Sequence, residues 1–341
     1  MTINNKKLSS PMVVLAILFA GCAAPPISAE EIRLVQSPTP AADHKADLTK
    51  YEVNLIGQYR EELEKFTDAT RYFIALEIGE TPTNISGKMV VLYTNTESEA
   101  LHEIYFRLFP NVGGQYINVE NILVNDQPVD GVLEFEDTAL RVDLPQPLLP
   151  GQSTAIHMDF YQTVPTQMGG NYGLYIYLDD ILALDAFFPI IPVFNEEGWN
   201  VESPPRNADM IFADAAIFEV QVSAPSELVL AASGVQVDSE VKSGRREVTF
   251  VAGPQRDFYI AASPRFVSES LNVGGTLVTS YFPEEYREMG TLVLTTAVQA
   301  LIIFSEEYGV YPYAELDLVS TPMQAGGMEY SGAGSHGFVS V

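Results

Sequence analysis

Hydrophobic positions change their period twice along this chain. Between residues 47 and 66, apolar side chains recur at Tyr51, Leu55, Tyr59, Leu63 and Phe66. That spacing puts one face of a helix against a core. From Arg71 onward the period drops to two. The stretches 71–78, 86–95 and 102–110 alternate apolar and polar residues, with turn residues between them. Short strands of the same kind continue to about residue 264, and no helical pattern interrupts them. Regularly spaced short strands predict a saddle-like β-sandwich and argue against a parallel α/β architecture in this region. Helical spacing returns over 291–309, where Val293, Ala297, Leu301, Phe304 and Tyr308 share a face and Gly309 supplies a stop. A turn, a strand and the glycine-rich segment AGGMEYSG (325–332) follow. The change near 265 predicts a β domain over 67–264 and the start of a second, α+β domain over 265–341.

Composition and the N-terminus point to a folded, exported protein. Hydrophobic residues make up 47% of the 341, enough to bury a core. The formal charge is −27, which disfavours a nucleic-acid partner because phosphate binding needs clustered Lys and Arg. The first 22 residues carry Lys6 and Lys7, then an apolar run too short for a comfortable membrane span, then Cys22. The segment FAGC is similar to a bacterial lipobox, which implies that Cys22 carries the lipid anchor. A simple signal peptide cut near Ala29 is the alternative. Residues 23–46 are rich in Pro, Ala and polar residues and read as a tether. The expected place is the bacterial cell envelope, with the protein lipid-anchored on the outer side of the cytoplasmic membrane or exported.

The candidate chemistry lies in the glycine-rich segment. YPYAELDLVSTPMQAGGMEYSG resembles the stretch around the GxMEN motif of zinc aminopeptidases of the membrane alanyl aminopeptidase type. LPQPLLPGQSTAIHMDFYQTVP, LDAFFPIIPVFNEEGWNVE and RDFYIAASPRF agree with that family in the same order, so the resemblance runs from about 68 to 332. It implies a β-saddle followed by a thermolysin-like zinc domain, and removal of N-terminal residues from peptides. It implies that Glu329 holds the substrate's cationic α-amine, a charge-assisted pairing stronger than a neutral hydrogen bond. It implies that Gly326 and Gly327 let a peptide approach the backbone closely, and that Met328 supports the pocket wall. Tyr330 stands where the commonest motif has Asn.

The metal half of such a site is missing from the pattern. Zinc binding in that family needs two His four residues apart on a helix, with a Glu between them acting on the bound water. The histidines here are His44, His102, His157 and His336, and none is four residues from another. The expectation is therefore that the chain contains no catalytic residue and binds no metal, and that it is the N-terminal portion of an exported zinc aminopeptidase interrupted before its zinc site. The competing expectation is a non-catalytic lipoprotein binding or scaffold module derived from the same family.

Overall fold

The computed structural model describes residues 46–114, 116–169, 172–202 and 210–337. Cys22, His44, the signal segment and nearly all of the tether lie outside the described residues. The described part is mainly β. Its largest sheet has eight strands, in the order Val235–Lys242, Arg245–Gln255, Ala216–Pro225, Arg71–Ile78, Asn84–Thr94, Ser153–Thr163, Ile117–Val124 and Gln127–Pro128. All neighbours are antiparallel except Arg71–Ile78 with Ala216–Pro225. A three-stranded sheet, Leu101–Arg107, Ala139–Leu148 and Gly131–Glu134, shares its core: Ile104, Phe106 and Val142 pack with Ile74, Val91, Ile156 and Phe160. This is the sandwich that the period-two pattern predicts. Ser153–Thr163 shows the alternation, burying Ile156, Met158, Phe160 and Gln162 and turning the residues between them outward.

A four-stranded sheet is buried on both faces. Its strands are Val229–Ala232, Ile260–Ser263, Ile181–Leu184 and Tyr175–Leu178. Leu182, Leu184 and Ile260 belong to the main core. Ile181, Ala183, Ala231 and Ala261 face a second core with Phe266, Val319, Tyr330 and Ala333. Burial on both sides explains why ILAL reads as a continuous apolar run rather than an alternation.

The second core is closed by a five-stranded sheet. Its order is Phe266–Val273, Thr276–Pro283, Glu315–Thr321, Ala333–Gly337 and Gly327–Tyr330. Thr276–Pro283 and Glu315–Thr321 are parallel, and the helix Arg287–Tyr308 makes the crossover between them. Gly290 lets this helix come down on the sheet, since a Cβ there would lie 2.0 Å from the Phe282 ring. Val293, Ala297 and Leu301 are half-buried, as the spacing predicts. Phe304 and Tyr308 are exposed instead, Tyr308 at 85%, because the contact face ends after Leu301.

The segment 47–66 differs from the predicted helix. It forms two 3₁₀ stretches, Thr49–Asn54 and Gly57–Phe66. Between them Leu55 is extended and bridges to Tyr313, while the Ile56 N–H donates to the Pro312 carbonyl. The apolar spacing marks the right buried residues: Tyr51, Leu55 and Leu63 pack on Ile217 and Val251. Pairing with the Tyr313 segment interrupts the helical ladder that the same spacing implies.

Candidate functional site

The strand Gly327–Tyr330 is the last in its sheet. It pairs antiparallel with Ala333–Gly337 on one side, and no strand pairs with its other side among the described residues. An edge of this kind offers unpaired backbone groups to an incoming extended chain. Gly326, just before it, is exposed, and a Cβ added there would meet nothing within 4 Å.

Alternation along the strand divides its side chains. Gly327 and Glu329 fall on one face, and Met328 and Tyr330 on the other. Glu329 is exposed, and its Oε1 lies 3.2 Å from where a Cβ on Gly327 would stand. The carboxylate therefore folds back over the glycine, and the missing side chain makes that possible. Register puts His336 opposite Gly327 and Gly334 opposite Glu329. His336 Nε2 is 3.0 Å from Ser320 Oγ, and burial pushes its imidazole pKa below the ordinary value, so the ring stays neutral.

On the inner face, Met328 packs against the second core. Tyr330 is buried, and its ring stacks on Tyr259 with centroids 4.5 Å apart and planes 10° apart. Burial, then the Asp185 charge, raises the Tyr330 pKa well above the ordinary phenol range. In the same sheet, burial, then Glu315, holds the Asp317 carboxyl well above the ordinary carboxylate range, opposed by a hydrogen bond from the Ala232 N–H.

The sequence pattern groups Gly326, Gly327, Met328 and Glu329, which lie on one strand and its approach. It gives no role to Asp185 or Tyr259, although both lie in segments that carry the family resemblance. The available signal is a single carboxylate inside a run of apolar residues, LALDAFF. Buried carboxylates need partners, so such a residue marks an internal polar contact.

The described residues do not fit zinc. No group of three or more His, Cys, Asp or Glu side chains among them could hold a metal ion. His102 is on Leu101–Arg107, His157 on Ser153–Thr163 and His336 on Ala333–Gly337, in three different sheets.

No family model and no curated protein matches the sequence. Solved structures do match the fold. An M1 zinc metallopeptidase from Deinococcus radiodurans superposes with a TM-score of 0.53 at 19% identity, over 79% of this chain and 60% of that one. A mutant of an M1 zinc metallopeptidase from the same organism, bound to a Tyr-Ser-Ala substrate, gives 0.54 at 19% identity, with the same coverage of 79% and 60%. A two-domain M1 zinc metallopeptidase mutant bound to L-arginine gives 0.54 at 18% identity, again over 79% and 60%. The chain thus spans less than two thirds of the length of these relatives, and over that span it has the fold of M1 zinc metallopeptidases.

Proposed function

We propose that this chain is the N-terminal, substrate-recognising portion of an exported zinc aminopeptidase. One observation carries the reading: an exposed carboxylate, Glu329, sits on a free sheet edge beside glycines that leave room for a peptide backbone. A peptide laid along Gly326–Met328 would add a strand, and Glu329 would take its cationic α-amine. The neighbour crystallised with Tyr-Ser-Ala supports a peptide as the ligand class. In this proposal zinc belongs to the complete enzyme and is supplied by residues outside those described, so no hydrolytic step is assigned to this chain. Anchoring through Cys22 in the envelope is part of the same proposal, and retention of a Cys22→Ser variant in membranes would count against it.

The test uses the 341-residue chain and a tripeptide labelled at its C-terminus, with either a free or an acetylated N-terminus. Fluorescence anisotropy should show preference for the free amine. Glu329→Gln should reduce that preference about tenfold, the scale of one charge-assisted hydrogen bond. Gly326→Ala should leave the melting temperature unchanged and weaken binding of both peptides several-fold, because its methyl group meets only the incoming chain. Equal binding of the two peptides to wild type would sink the reading. Zinc-dependent hydrolysis of an aminoacyl amide by this chain alone would sink the assignment of the metal to other residues.

A further inference from the structure

We propose that Tyr330 is a positioning residue, and that its stack on Tyr259 fixes the place of Glu329 on the sheet edge. This rests on the role given to Glu329 above. The strand Gly327–Tyr330 has four residues, a backbone partner on one side only among the described residues, and a glycine at its start with another just before it. Short edge strands with glycines are the parts of a sheet that open most readily. Little in the backbone holds Glu329 at one depth or rotation.

The neighbouring residue provides that constraint. Tyr330 follows Glu329 and points to the opposite face, so fixing one ring fixes the direction of the other side chain. The Tyr330 ring lies flat on Tyr259, which is 1% exposed and immediately precedes the central strand Ile260–Ser263. The Tyr259 N–H donates to Ser233 Oγ at 3.1 Å, so the platform is itself held. Tyr259 adjoins the doubly buried sheet. The recognition edge is thus tied by a side chain to the most enclosed layer of the protein.

Hydrogen–deuterium exchange on the full chain and the two-peptide binding assay test this together. Tyr330→Leu removes the flat ring and keeps apolar volume. It should raise exchange in 327–330 by about tenfold or more, since local opening of an edge is cheap once its anchor is gone, while Ser153–Thr163 stays protected. It should also lower the free-amine preference to the level of Glu329→Gln. Tyr330→Phe keeps the stack and should retain most of both. A folded Tyr330→Leu protein with wild-type exchange overturns the proposal. Faster exchange with an unchanged amine preference also overturns it, because the contact would then be structural only. Should Tyr330→Leu not fold, Tyr259→Leu, which removes the other ring of the stack, is measured in the same two ways, and the same results support or overturn the proposal. If wild type shows no amine preference, the substrate reading fails, and exchange alone decides whether the stack holds the strand.

Discussion

Gly87→Val lowers the melting temperature by roughly 2–5 °C, from about 1–3 kcal/mol of overpacking and about 1.5 °C per kcal/mol at this chain length. Gly87 is in Asn84–Thr94, directly opposite Phe160 in Ser153–Thr163. The Phe160 ring covers it so closely that a Cβ on Gly87 would lie 2.1 Å from the ring tip and 2.5 Å from two further ring carbons. Phe160 is fully buried in the main core beside Ile156 and Met158, so the ring has nowhere to retreat. A valine must therefore displace a packed aromatic or bend two central strands. Pairing the change with Phe160→Leu should recover part of the loss, and a double-mutant cycle reads this as a favourable coupling. Additive losses would mean that the ring is not what excludes the side chain. Thermal unfolding followed by circular dichroism is sufficient for all four proteins.

The second large effect depends on pH. Asp317→Asn should stabilise the protein at pH 8 by a few degrees and should have almost no effect near pH 3.5. Asp317 lies in the five-stranded sheet and is nearly inaccessible. Burial is the leading cause of its raised pKa, and Glu315, two residues away, adds to it. A carboxyl whose pKa is raised by folding binds its proton more tightly in the native state. Its contribution is fully present below the unfolded carboxylate pKa and is lost as the pH rises through the folded value. Glu315 is itself raised by burial and acts in the same direction. Asparagine keeps an acceptor for the Ala232 N–H and removes the charge, so the variant should show a flatter dependence of melting temperature on pH. A wild-type protein that gains stability from pH 4 to pH 8 more steeply than the variant would contradict this. It would mean that Asp317 is ionised and stabilised by a cation.

These two residues also mark how far the sequence could be read. The alternation around Gly87 and Phe160 shows two strands but not that they are neighbours. The pairing joins residues 73 positions apart, and only the assembled sheet brings the ring over the glycine. Asp317 stands in LDLVST as one polar residue in an ordinary alternation, yet it faces inward. Period alone cannot distinguish an inward polar residue from an outward one when apolar residues flank it on both sides.

The sequence by itself determined the β-rich class, the return of a helix around 291–309, and the glycine–carboxylate segment as the place to look. Each follows from local rules: side-chain period, helix stops and the small size of glycine. The tertiary structure alone decided that this segment is a sheet edge unpaired on one side among the described residues, that Glu329 turns outward over Gly327, and that Tyr330 stacks on Tyr259. It also decided that 47–66 forms two 3₁₀ stretches, because extended pairing of Leu55 with Tyr313 outweighs the local preference for a helix. Contacts between residues distant in sequence carry those decisions. A one-dimensional pattern reports which residues seek burial, while the partner that buries them is selected only when the layers close on one another.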